Sequence, residues 1–155
     1  MSSLTLALPP HFRVPAFLNF HGRDQHAISE QVEGNVLRKA VTLDGRPCLL
    51  ALDFNQPGQV RSTARTLTRT ALSRQTRAML GLDQPVNTFE QAVTGQATPP
   101  GQLVGRQRGP RVPQSATPLA ALSWAILRPQ VSATRATAIR PRFTPLAGPA
   151  RGSRL

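Results

Sequence analysis

The acidic side chains of this chain end at Glu90. The residues that follow contain no Asp or Glu but nine arginines: Arg106, Arg108, Arg111, Arg128, Arg135, Arg140, Arg142, Arg151 and Arg154. A basic surface without acids to pair is suited to binding phosphate backbones. A catalytic step that needs a carboxylate must therefore use the first ninety residues or another chain.

The candidate groups for acid–base, metal or thiol chemistry show no spacing typical of a site. We expect four of the seven carboxylates on the solvated surface, namely Asp24, Glu30, Glu33 and Glu90. The other three have local structural positions: Asp44 in a turn, Asp53 beside a strand and Asp83 after the Gly81 helix end. His11, His21 and His26 have neither ligand nor triad spacing, and Cys48, the single cysteine, is expected to be a small buried hydrophobe. The sequence predicts no catalytic residue, no metal and no cofactor.

The composition favours a polyanionic partner. The 155 residues suffice for one ordinary domain, but 15 prolines are about twice the average usage. The net charge is +12, which indicates nucleic acid as the simplest partner. The alternative is codon bias in a GC-rich genome, since Lys39 is the only lysine. No signal peptide and no apolar run of membrane-spanning length is evident, so we expect a cytoplasmic protein without membrane contact.

The first ninety residues show the patterns of an α+β domain. The predicted elements are strands over 4–8, 36–43, 48–54 and 60–67, and helices over 16–23 and 71–80. Asp44-Gly45 predicts a two-residue hairpin, Gly81 the end of the second helix, and the Thr-rich strand 60–67 a place at the sheet edge. The sequence predicts an N-terminal antiparallel sheet with packed helices over 1–92, followed by a linker over 93–116.

Two short helices are predicted after the linker. Thr117 and Pro118 have the residue types of a helix start, and Pro129 is expected to end that helix by moving Arg128 out of helical geometry. Ser132 is expected to cap a second helix over 133–140, and 144–155 are expected to be disordered. Because two such helices cannot bury a core alone, residues 117–143 are predicted to begin an all-α domain without completing it.

One segment carries a specific resemblance. The run from Arg111 to Ile126, RVPQSATPLAALSWAI, is similar to the entry to the catalytic domain of DNA-3-methyladenine glycosylase II, the alkylation-repair member of the helix-hairpin-helix glycosylases. Several upstream segments resemble the N-terminal domain of that family, and the resemblance covers residues 4–143. It implies binding of double-stranded damaged DNA, extrusion of an alkylated purine and hydrolysis of its N-glycosidic bond.

The resemblance also implies site residues. Gln130 matches the side chain that fills the gap left by the extruded base, and Arg128, Ser132 and Arg135 are the other expected DNA-binding residues. For the aromatic wall of the base pocket, the matching region offers Phe17 and Phe20, although a core role is the alternative for both. In the family, Gly-Gln precedes the gap-filling side chain. The matching residues here are Arg128-Pro129, which changes the expected loop geometry.

The family's DNA-gripping hairpin and the catalytic Asp after it have no counterpart in this sequence. We therefore expect a monomeric, C-terminally truncated form of this glycosylase that is inactive alone. One alternative is a non-enzymatic basic DNA-binding protein that reuses the N-terminal domain. Another is an inactive, aggregation-prone product.

Overall fold

A computed structural model describes residues 1–23, 29–43 and 45–132, together with Arg135, Ala138 and Ile139. Its elements in chain order are β1 (Ser2–Ala7), α1 (Val14–His21), β2 (Glu30–Glu33), β3 (Val36–Leu43), β4 (Arg46–Asp53), β5 (Gln59–Ala64), α2 (Arg69–Leu80), α3 (Val86–Val93), α4 (Pro99–Arg106) and α5 (Pro118–Gln130). The predicted tail, most of the second helix, and Asp24, His26 and Asp44 lie outside the described residues.

The strands form one antiparallel sheet in the order β1-β5-β4-β3-β2, which confirms the predicted α+β class. Leu43 pairs with Arg46, so β3 and β4 are joined by a two-residue loop as predicted. Gly45 has a φ of 72°, which only glycine adopts without strain and which this type of tight turn requires.

The core lies between one face of the sheet and helices α1 and α2. Alternation along β4 buries Cys48, Leu50, Leu52 and the following Phe54, each 6% exposed or less, as the period-2 pattern predicted. Full burial of a leucine contributes about 2 kcal/mol. Gly81, in left-handed geometry with a φ of 63°, ends α2 as predicted.

Three expectations about the elements are corrected, and two elements, β2 and α3, were not predicted. The strand predicted at the edge, β5, lies between β1 and β4, because its inward residues Val60, Ser62 and Ala64 pack into the core. The sequence patterns did not indicate β2. The predicted linker over 93–116 contains α4, which begins at a Thr98 cap followed by two prolines. Finally, α5 continues through Pro129 to Gln130 and does not end before the proline.

None of the helices within the described ranges is long and apolar enough to cross a membrane. Over the same residues, no group of three or more His, Cys, Asp or Glu side chains is arranged to hold a metal ion.

Candidate nucleic-acid interface

Residues 110–116, which we name the strap, attach α5 to the C-terminal end of α2. Arg111 Nη1 donates hydrogen bonds to the carbonyl oxygens of Gly81 (2.9 Å) and Gln84 (3.1 Å). Gln84 in turn accepts from the Val112 amide (3.1 Å) and donates to the Val112 carbonyl (2.8 Å). The strap's Arg-Val-Pro motif is thus held by the turn that directly follows α2, through the carbonyl oxygens of Gly81 and Gln84 and the side-chain amide of Gln84.

The second half of the strap makes the same kind of contact. The Gln114 amide donates to the Met79 carbonyl (3.1 Å), and Gln75 Nε2 donates to the Ala116 carbonyl (2.8 Å). Ala116 is 6% exposed and belongs to the core cluster. The motif that carries the family resemblance therefore fixes where α5 begins.

Helix α5 starts as the sequence predicted. Thr117 Oγ1 accepts from the Ala120 amide (3.2 Å), and Pro118 occupies the first turn. Three apolar side chains remain exposed along its length: Leu119 at 52%, Leu122 at 58% and Ile126 at 58%. This face is not covered by any of the residues that the structure describes.

A cation stacked between two aromatic rings joins α5 to α1. The Arg23 guanidinium carbon lies 3.7 Å from the ring centroid of Phe20 and 4.8 Å from that of Trp124. Both distances are within the range of cation–π attraction. All three side chains are half-buried, so this stack is a second fixed point for α5 beside the strap.

The predicted DNA-binding residues lie at the end of α5 and directly after it. Gln130 is exposed in the last turn, and the chain leaves the helix at Val131, which is extended. Ser132 is exposed, and its Oγ accepts from the Arg135 amide (3.3 Å), as expected for a helix cap. The backbone of Arg128 belongs to α5. The four residues are thus neighbours on one short bend, and their contact with DNA stays a prediction.

The two candidate base-pocket aromatics have different environments. Phe17 is 2% exposed, and its ring centroid lies 5.4 Å from that of Phe54 and 4.7 Å from that of His21. The cavity it lines has a volume of about 50 Å³, which admits a few water molecules and no purine. Phe20 is half-buried beneath Arg23. Of the two rings, Phe20 is the one close to the surface and to α5.

The described carboxylates are all engaged in structural contacts. Asp53 accepts from the Asn55 amide (2.9 Å), and Glu90 Oε1 accepts from the Gly109 amide (2.7 Å). Glu33 pairs with Arg38 and Asp83 with Arg77, and Glu30 is buried. Glu90, which was expected on the surface, is half-buried by this contact.

The prediction that Glu30 is a surface residue is wrong. Glu30 is 4% exposed, and its Oε2 accepts from both Lys39 Nζ and His21 Nδ1, the latter at 2.9 Å. Glu30 and Lys39 are cross-strand partners in β2 and β3, so the strand register brings the charges together. Lys39 occupies an inward position of β3 beside Leu37, and this was the one sequence signal for a buried ion pair.

The electrostatics of this cluster follow from its burial. Burial alone would raise the pKa of Glu30, but the hydrogen bond from His21 and the charge of Lys39 outweigh it and lower the pKa to about 2. Burial lowers the pKa of His21 below its ordinary value of 6.5, although the bond to Glu30 acts in the opposite direction. Because Glu30 is ionised and can only accept, Nδ1 of His21 carries the proton.

Comparison with known proteins finds similarity to solved structures only at the level of the fold. No family model matches the chain, and no curated protein matches its sequence. Among solved structures, the fold is similar to that of a 3-methyladenine DNA-glycosylase from Archaeoglobus fulgidus, with a TM-score of 0.70 and 20% sequence identity. The match covers 86% of this chain and 47% of that chain, so this chain spans about half the length of the structure that it matches. At this identity the likeness shows a shared fold over the matched part, and it agrees with the α+β fold that the sequence predicted.

Proposed function

We propose that this chain is a DNA-repair protein of the alkylated-purine glycosylase type, and that it corresponds to about half of such an enzyme. The observation that carries the proposal is the fold likeness over 86% of the chain to the structure of a 3-methyladenine DNA-glycosylase. The strap motif supports it, because the residues of the resemblance, Arg111 and Gln114, are those that attach α5 to the α+β domain.

In this proposal the α5 bend is the part that enters DNA. Gln130 is exposed at the end of a helix that is fixed by both the strap and the Arg23 stack. A planar amide on a fixed helix end can fill the space of an extruded nucleotide and hydrogen-bond the unpaired base opposite. The basic charge of the chain supplies the general attraction to the duplex.

The chain alone does not cut the glycosidic bond in this proposal. Hydrolysis of an N-glycosidic bond develops positive charge on the sugar, which a carboxylate beside the extruded nucleotide stabilises. The described carboxylates are engaged in structural contacts, and the sequence has none after Glu90. In this proposal the catalytic carboxylate belongs to the part of a glycosylase that this chain does not match.

The insertion of Gln130 into DNA is tested by measuring the affinity of the chain for duplex DNA that contains a single abasic site and for an intact duplex. We expect the parent chain to prefer the abasic duplex, and Gln130→Ala to abolish the preference through a roughly tenfold weaker affinity for the abasic duplex. Gln102→Ala, which removes an exposed glutamine from α4, is the matched control. Equal affinities of the parent for both duplexes would refute the insertion of Gln130 into DNA.

The second candidate is a non-enzymatic DNA-binding protein that uses the same fold. The observation that favours it is the net charge of +12 on a chain whose described carboxylates all have structural contacts. Such a protein binds intact and abasic duplexes alike, with an affinity that falls steeply as salt rises. The same pair of duplexes therefore separates the two functions.

A further inference from the structure

Residues 54–82 contain five arginines and no Asp, Glu or Lys. The arginines are Arg61, Arg65, Arg69, Arg74 and Arg77. They lie on β5, on the loop after it and on α2. In the sheet, β5 is on the side away from β2. One of them, Arg77, pairs with Asp83. None of these five arginine side chains takes part in the hydrogen bonds that hold the strap, and none lies on the α5 bend.

Three arginines converge at one end of the sheet. Thr66 Oγ1 donates a hydrogen bond to the Pro47 carbonyl at 3.2 Å. Because Arg65 directly precedes Thr66 and Arg46 directly precedes Pro47, this bond brings the two arginines to the same end of the sheet. Thr68 caps α2, so Arg69 follows within the first turn. All three arginines are exposed. We name Arg46, Arg65 and Arg69 the arginine end.

The arginine end makes no ion pair with any carboxylate in the part of the chain that the structure describes. Asp44, which lies two residues before Arg46, is outside that part, and with it counted the sequence charge of this end is still positive. Like charges held together without a counter-charge destabilise a folded protein. A polyanion bound at this end relieves that repulsion.

The arginine end and the strap are at opposite ends of α2. Arg69 begins this helix, whereas Arg111 binds the carbonyl of Gly81 just after it ends. A twelve-residue helix is about 18 Å long. Duplex DNA that passes both the arginine end and α5 would therefore be contacted over several base pairs.

We propose that the arginine end is a second DNA-contacting surface that binds the phosphate backbone of duplex DNA without regard to sequence. The guanidinium group binds phosphate oxygens in a bidentate manner, and contacts of this kind position a protein on DNA without reading bases. The exposed Thr70 beside Arg69 offers a further hydroxyl donor. The surface rests on the proposed function, which makes DNA the partner of the chain.

The test compares two double variants that remove the same charge. R65Q/R69Q removes two arginines that pair with none of the described carboxylates, and R38Q/R77Q removes two arginines that are paired with Glu33 and Asp83. The binding of an intact fluorescent duplex is measured between 50 and about 300 mM salt. Thermal melting monitored by circular dichroism verifies that both variants are folded.

We expect the slope of log affinity against log salt to become shallower by about 1.8 in R65Q/R69Q, which corresponds to two lost phosphate contacts. The slope of R38Q/R77Q should remain near that of the parent. Equal slopes in the two variants would overturn the proposal that the arginine end contacts DNA, while leaving the proposed function intact. A parent chain that does not bind duplex DNA would overturn both.

Discussion

Glu30 is the residue whose environment departs most from what its type suggests. It is a buried carboxylate that holds a lysine and a histidine from two other elements, β3 and α1. The cluster thereby joins α1 to the edge of the sheet formed by β2. The free-energy cost of burying these charges is offset only while every partner is present. Removal of any one member of the cluster should therefore have a large effect on the stability of the fold.

Glu30→Gln should therefore destabilise the protein by about 3–5 kcal/mol, because Lys39 would remain buried without its counter-charge. Glu33→Gln, which breaks an exposed pair with Arg38 on the same strand, should change stability by less than about 1 kcal/mol. Urea unfolding of the two variants measures the difference. Similar midpoints for both would show that the buried pair has no special role.

The same cluster predicts that stability decreases as pH falls. His21 and Glu30 both have folded-state pKa values below their ordinary values of 6.5 and 4.5, so the unfolded chain binds more protons. The loss begins as pH falls below 6.5 for His21, and for Glu30 it extends from 4.5 to about 2. Urea midpoints measured at pH 7, 5.5 and 4 should decrease in that order. A midpoint that is constant or rises toward low pH would contradict the assignment.

At the scale of elements, the position of α5 depends on the strap. Arg111 donates two hydrogen bonds to carbonyls in the turn directly after α2, and hydrogen bonds of charged groups contribute about 1.5–3 kcal/mol each. Without them, the strap should open locally while the sheet stays folded.

Arg111→Ala should therefore speed hydrogen exchange at the strap amides of Val112 and Gln114, but leave Leu50 and Leu52 in β4 unchanged. Arg106→Ala, which removes an exposed arginine at the end of α4, serves as the control. Equal exchange of the strap in the two variants would mean that Arg111 does not hold α5.

The elements that were predictable from the sequence are those set by local rules. The alternation of β4, the Asp44-Gly45 hairpin and the Gly81 helix end follow from residues a few positions apart. Strand β2 and the central place of β5 depend on pairing between distant segments, which a single sequence does not display. Pro129 inside α5 shows that a local rule can also fail where the helix is about to end.

The candidate site divides in the same way. The Thr117 cap was predicted from residue types, whereas Gln130 was identified only through the family resemblance. The buried Glu30 was missed, because its partners come from separate elements and its own strand is only four residues long. Arg111 was recognised as part of a motif, but its bonds to the end of α2 could be seen only in the folded chain.

At the scale of the whole molecule, one apolar surface is exposed on α5. Leu122 and Ile126 are each 58% exposed and lie one turn apart on one face. L122Q/I126Q should reduce binding of a hydrophobic dye and self-association, yet shift stability by less than about 0.5 kcal/mol. Dye fluorescence and light scattering measure this. A large loss of stability would show that the face is already covered within the molecule.

In the proposed function, DNA binding is separate from chemistry. The α+β domain positions the α5 bend, and the arginines are proposed to attract phosphate, whereas each described carboxylate has a structural contact. A protein of this kind should hold damaged DNA without altering it.

The most direct test is release of free base from a methylated duplex by the purified chain, with retention of the same labelled duplex measured in parallel. The account predicts retention that weakens as salt rises, with no methylated purine released above the rate of a protein-free sample. Release of methyladenine by the chain alone would contradict the account, because it would require a catalytic group that none of the described contacts leaves available.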